Sequence, residues 1–430
     1  MEKRGGALLD DDRDALITRM RLYCDSSVNW RDFANYGTGL ETERNRFDPH
    51  HARQLAMEEG FSGKNIRRYA FKPFDNRWCY YSSTRPIWND PRTRLEEWQR
   101  AGNEFLVARA EGIGGIDGTP VFYSRNLGDC DLLRGYAYFF PVRIGGRHGS
   151  GPRSNLSKKM TNYLTHLGYA DAVTNREVAR MVWLHALAIT YSTAYLADNA
   201  AGVQDGYPRV PFPNFAQIAD ISNEAARLLL STSMKIGEQV ALLLQPDEYI
   251  DGVDSGGKKR TELLGLAELT YVGKEKSRQF TNDSLLLRGW GHINSRNAVV
   301  LEYGTARQRR YKDHERADIE DGALRLGLHV GAAYGSLGQE TFDVYLNEDW
   351  CWRNVPAAVW NYTIGGYPVL RKWLSYRDTS VTNQLLSQEE LEYFTKMVRR
   401  LAALRLLEPS LNRNYAKIRD CSHCFEKLQK

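Results

Sequence analysis

The chain has 430 residues, 58 Lys and Arg against 53 Asp and Glu, and 42% hydrophobic residues. That length excludes one ordinary compact core and asks for two or three domains, or one large domain with insertions. A net charge of +5 is too small to argue for nucleic acid by itself, and six scattered cysteines exclude a disulfide framework. No signal-peptide core and no run of roughly 20 apolar residues is present, so the expected setting is the reducing cytoplasm, without a membrane.

In chain order, residues 1–60 read as a polar connector with one amphipathic stretch near Asp12–Tyr23. Residues 61–173 read as a first α/β lobe. Its aromatic and β-branched runs RRYAFKPF, RWCYYSS, TPVFYSR and GYAYFFPVRI predict strands, and NDPRTRLEEWQRAG predicts a short helix that Asp90 could cap. Residues 174–246 read as a helical spacer. Thr174 and Glu177 have capping-box spacing ahead of an apolar run, YPRVPFP at 207–213 must be extended, and a second helix runs from about Asn223 to Leu244. Residues 247–377 return to short strands and form a second α/β lobe. In 378–430, Ser387 and Glu390 open a helix expected to end near Leu407, with a frayed tail after Pro409. The fold class is α+β, with mixed-sheet lobes, a helical spacer and a C-terminal helix.

Catalytic motifs are missing. An adenine methyltransferase needs an Asn/Asp-Pro-Pro-Tyr/Phe element, and this chain has no Pro-Pro dipeptide. The nearest phosphate-loop match, Gly252 to Lys259, has Lys259 where a magnesium-binding Ser or Thr is required, so it reads as a surface turn. Cys421-Ser-His-Cys424 lacks the second ligand pair that zinc needs. No cofactor or metal is expected in this chain.

Four segments resemble the C-terminal target-recognition part of single-polypeptide type I (type ISP) restriction–modification enzymes. They are YAFKPFDNRWCYYSSTRPIWNDPR at 69–92, GYAYFFPVRI at 135–144, the helix near 176–197 followed by YPRVPFP, and VPAAVWNYTIGGYPVLRKWLSYR at 355–377. The order also resembles the family's, over roughly residues 5–405. The nuclease, motor and methyltransferase motifs of such enzymes are absent, so the resemblance implies specificity and not catalysis. It implies double-stranded DNA as ligand, and a separate methyltransferase, with or without a motor–nuclease, as partner. S-adenosylmethionine is then expected on that partner. Two alternatives stay open: an inactive remnant of a type ISP enzyme, or a histidine-based nuclease around His292.

Charge distribution supplies the candidate contacts. Residues 272–316 hold ten Lys and Arg against five Asp and Glu, an excess equal to that of the whole chain. Arg, Asn and Gln make the bidentate base contacts that separate guanine from adenine. The candidate base readers are therefore His292, Asn294, Arg296, Asn297, Arg307, Gln308 and Arg309, with Arg125 and Asn126 as a second group. The candidate phosphate contacts are Arg147, Arg153, Lys158 and Lys159 in a Gly/Ser-rich loop without acids, together with Arg310, Lys312 and Lys372. Phe74, Trp78, Tyr80 and Tyr81 are expected to be core and turn residues, Asp75 and Arg77 an internal pair, and Gly365-Gly366 a tight turn at positive φ.

Overall fold

The computed structural model describes residues 7–43, 47–88, 91–100, 102–112, 118–145, 151–213, 223–254, 261–274, 279–295, 298–301, 304–327 and 333–422. The first segment is more structured than its polarity suggests. After a two-residue strand, β1 (Leu9–Asp10), the Asp12 carboxylate accepts from the N–H groups of Asp14 and Ala15 and starts α1 (Arg13–Cys24). Asn29 caps α2 (Trp30–Asn35), and Asp48 caps α3 (Pro49–Glu59), where a proline in the first turn costs no hydrogen bond. Leu16, Met20, Phe33 and Ala56 of these helices share a small core with Tyr69, Tyr80 and Trp88.

The first lobe follows the predicted strands. β2 (Ile66–Lys72) and β3 (Asp75–Tyr80) form a hairpin that β1 extends. After α4 (Thr93–Arg100), whose proposed cap Asp90 lies outside the described residues, β4 (Phe105–Ala108) is flanked by β5 (Val121–Ser124) and β6 (Tyr138–Pro141). β7 (Arg143–Ile144) pairs with β8 (Arg153–Ser154) and leads to α5 (Lys158–His166).

The spacer is helical as expected, with one correction. α6 (Arg176–Thr190) is capped by Asn175, which accepts from the N–H groups of Glu177 and Val178, and not by Thr174. Next come α7 (Thr193–Asp198), α8 (Ala200–Asp205) and α9 (Asn223–Leu243). Helices α6 and α9 touch so closely that a Cβ on Gly237 would meet the Leu184 carbonyl at 1.8 Å.

The second lobe is a four-stranded antiparallel sheet with a ribbon beside it. Its elements are β9 (Glu268–Tyr271), the ribbon strands β10 (Gly291–Ile293) and β11 (Val299–Leu301), then β12 (Ala306–Arg310), α10 (Asp313–Arg325) and α11 (Ala333–Leu337). β13 (Glu340–Tyr345) and β14 (Trp350–Pro356) complete the sheet in the order β12-β13-β14-β9. α12 (Ala357–Trp360) and the turn between β15 (Thr363–Ile364) and β16 (Tyr367–Pro368) follow. Gly365 and Gly366 have φ of 53° and 82°, as predicted, and Leu133 of the first lobe packs where a Cβ on Gly365 would sit.

α13 (Val369–Ser375), α14 (Thr379–Thr382) and α15 (Gln388–Cys421) end the described chain. The capping box of Ser387 and Glu390 forms, but the expected stop near Leu407 does not. α15 passes through Pro409 because Leu411, Tyr415 and Ile418 are buried beyond it and Asn412 accepts from Ser192 Oγ and the Ala194 N–H. That anchoring outweighs the roughly 3 kcal/mol cost of an interior proline. One large core contains Phe105 and Val121, Leu184 and Val240, Trp290 and Trp352, and Phe394 and Leu401, so both lobes, the spacer and α15 share it.

The expected Asp75–Arg77 pair is present and is part of a larger junction. Arg77 Nη2 lies 3.0 Å from Asp75 Oδ2, and Arg377 Nη2 lies 3.1 Å from Asp75 Oδ1. Arg377 also reaches Asp11 (3.0 Å) and Glu390 (2.9 Å). Burial alone would raise the pKa of Asp75, but the charges of Arg377 and Arg77 hold it well below the usual carboxylate range. The first segment, the β2–β3 turn, the end of α13 and the start of α15 therefore meet around the buried Asp75–Arg377 pair.

Candidate nucleic-acid interface

Beside that junction, the residue after Arg377 grips the ribbon. Asp378 is buried, and its Oδ2 accepts from the backbone N–H groups of Trp290 (2.6 Å) and Gly291 (3.3 Å). Ser380 Oγ donates to the Gly291 carbonyl (2.8 Å), and the buried Trp290 indole donates to the Tyr345 carbonyl (2.9 Å). Above this base, His292 lies opposite Val300 and Ile293 opposite Val299. Asn294 closes the far end by exchanging two hydrogen bonds with Ala298, one from each backbone N–H, both 3.0 Å. His292 and Asn294 are half-buried; Arg296 and Asn297 lie outside the described residues.

From β11 the chain runs into the edge strand β12, where three arginines have different fates. Arg307 is exposed and lies 4.7 Å from the Tyr345 ring, and Arg310 is exposed. Arg309 turns inward. Its guanidinium donates to Glu315 (2.8 and 3.1 Å), Asp343 (2.8 and 3.1 Å) and Asn354 Oδ1 (2.6 Å). Asn354 has φ of 58°, and the β13–β14 register shifts at Asp343, so an irregular strand pair aims both acceptors at Arg309. Burial favours a neutral Glu315, but the hydrogen bonds from Arg309 and the Lys312 N–H hold its pKa down at about 2. Arg309 is thus corrected from a base reader to a brace. Gln308 donates to the Glu340 carboxylate, and Lys312 is exposed at the start of α10.

The other candidates fall elsewhere. Arg125 is paired with Glu248 and lies 3.4 Å from Glu104, so acids already neutralise it. Asn126 donates its N–H to Ser124 Oγ and turns the chain after β5. Arg153, Lys158 and Lys159 are exposed, but α5 packs on α6 and α9 and not on the ribbon; Arg147 lies outside the described residues. Lys372 is half-buried behind the ribbon, 3.5 Å from the Val299 carbonyl and 4.5 Å from the Tyr376 ring, and burial, with the charge of Arg134, pushes its pKa down. It braces β11. The Gly252–Lys259 turn and the Cys421–Cys424 pair extend beyond the described residues.

The family model for the Type ISP C-terminal specificity domain matches residues 3–246 and 290–398. The chain belongs to that family. The likeness of this specificity domain to solved structures is one of fold. It is 11% identical to the ATP-dependent Type ISP restriction-modification enzyme LlaBIII, solved bound to DNA, with a TM-score of 0.52 over 96% of this chain and 22% of that one. It is 14% identical to the DrdV protein of a DrdV–DNA complex, with a TM-score of 0.55 over 95% of this chain and 34% of that one. The domain thus spans 22% and 34% of the lengths of these two proteins. A search of curated proteins finds no match.

Within this specificity domain the signature segments are scaffold. Phe74, Tyr80 and Tyr81 are buried, and Trp78 is half-buried against Arg13 and Arg68. Asp378 and Ser380 escaped sequence reasoning because they lie nearly 90 residues from the strand they hold. Among the described residues no helix is long and apolar enough to cross a membrane.

Proposed function

We propose that the chain selects a double-stranded DNA sequence for an adenine N6-methyltransferase, and that a separate methyltransferase holds S-adenosylmethionine and does the chemistry. A motor–nuclease joins where the system also cuts, and the setting is the cytoplasm. The observation that carries this reading is the ribbon of β10 and β11, gripped at its base by Asp378 and continuous with an edge strand that exposes Arg307 and Arg310. A two-stranded ribbon fits the major groove, where donor and acceptor patterns distinguish all four base pairs. Asn294 and the neighbouring Arg296 and Asn297 carry the side chains suited to base edges. Arg310 and Lys312 suit phosphates, which fix register without reading sequence, and Arg307, a base-reader candidate in the sequence, is reassigned to them because it stands exposed on β12 outside the ribbon. Membership of a specificity-domain family supports the same reading.

The test is selection of bound duplexes from a randomised pool at low salt. Enrichment of one short sequence containing adenine supports the proposal. Retention of the pool without enrichment, or no retention, contradicts it. Adding the methyltransferase encoded beside this chain should then place methyl groups at that sequence and nowhere else.

A further inference from the structure

The ribbon that supplies polar candidates is itself largely aliphatic. Ile293 and Ala298 are exposed, and Val299, Val300 and Leu301 are half-buried, so none of these five is lost in the core. Strand alternation puts Ile293 and its partner Val299 on one face, with Gly291 below them, and His292 with Val300 on the other. A Cβ on Gly291 would meet the Ser375 carbonyl at 2.3 Å, so the foot of the first face lies against the end of α13. Two residues further on, Ile293 is 49% exposed. No other strand among the described residues exposes a large aliphatic side chain to this degree. A strand that only closed the core would turn such a side chain inward.

Charge identifies what meets this apolar tip. From Arg288 to Lys312 the chain carries six Lys and Arg and one acid, Glu302. Arg309 is held inside, while Arg307, Arg310 and Lys312 stand in solvent on the strand and helix start that follow the ribbon. An aliphatic tip set in a cationic stretch fits a polyanion that holds apolar groups between charged rims. The major groove of duplex DNA is built in that way. Phosphates line it, and the C5-methyl of thymine is the apolar group on its floor. The proposed target contains adenine, and each adenine pairs with a thymine that carries this methyl.

We infer that Ile293, backed by Val299, reads the 5-methyl group of a thymine within the target site. This rests on the DNA-binding reading and adds an apolar specificity residue to its polar contacts. Cytosine and guanine edges offer no methyl, so burial of Ile293 favours thymine at one position on one strand.

The experiment uses the duplex enriched from the randomised pool, with each thymine replaced in turn by deoxyuridine, which lacks only the methyl group. The full wild-type chain should lose affinity about four-fold at one position, the equivalent of one buried methyl group. Ile293→Ala should bind the unmodified duplex about four-fold or more weakly, and should no longer distinguish thymine from uracil at that position. Ile293→Val should keep the distinction. Both variants should melt with the wild type, because the side chain stands in solvent. Ile293→Gln, which keeps the length of the side chain and removes its apolar end, gives the same test if Ile293→Ala does not fold. A duplex whose thymines can all be replaced without loss, or a uracil penalty that survives Ile293→Ala, overturns the inference and leaves the DNA reading intact. So does an Ile293→Ala variant that binds the duplex normally but no longer supports methylation by the methyltransferase, which would place the tip against protein. Failure of the pool to yield any enriched duplex overturns the DNA reading and the inference with it.

Discussion

The junction around Asp75 and the edge strand β12 both collect arginines, and they use them in opposite ways. Arg77 and Arg377 face a buried carboxylate and tie distant segments together. Arg307 and Arg310 stand in solvent on a strand that leaves the ribbon. The boundary between the two uses runs through β12 itself, since Arg309 belongs with the first pair and its neighbours with the second. A cation is a ligand contact only where no carboxylate inside the fold has already claimed it.

The largest effect expected from breaking that contrast is at the junction. Arg377→Leu leaves Asp75 buried with half its compensation and should cost about 3–5 kcal/mol in urea unfolding. Arg309→Ala should come next, at about 2–3 kcal/mol, because it strips hydrogen bonds from two carboxylates. It also sharpens the pH dependence. The folded pKa of Glu315 is depressed, so its contribution is present above the unfolded value of 4.5 and is lost as pH falls through about 2. Arg309→Ala should flatten the stability–pH curve in that window. Asp378→Ala leaves the Trp290 and Gly291 N–H groups unsatisfied and should cost about 1–3 kcal/mol while weakening duplex affinity through a loosened ribbon. The smallest change in stability, within about 0.5 kcal/mol, is expected for Arg307→Ala and Arg310→Ala, whose effect should be on DNA alone.

Local chemistry made much of the fold legible. The strands of the first lobe, the Gly365-Gly366 turn and the Ser387–Glu390 cap follow from side-chain type and spacing. The helices of the first segment are hard to see in its polar sequence, although Asn29 before Trp30, and Asp48-Pro49, are good helix starts; α2 and α3 are too short for periodicity to stand out. Pro409 suggests a stop locally, but the buried residues that carry α15 past it contact α7 and its cap more than 200 positions away. Arg309 and Arg310 are adjacent, identical in type and opposite in role. What separates them is strand alternation together with acceptors at 343 and 354, which no local pattern displays.

Which arginines of β12 meet DNA is measured directly by the salt dependence of duplex binding. Each lost phosphate contact lowers the slope of log K against log salt by about one. The Arg307→Ala, Arg310→Ala double variant should lower the slope by about two with an unchanged melting temperature, and Arg309→Ala should melt earlier with an unchanged slope. A normal slope in the double variant, or a slope lowered by Arg309→Ala without loss of stability, would contradict the assignment.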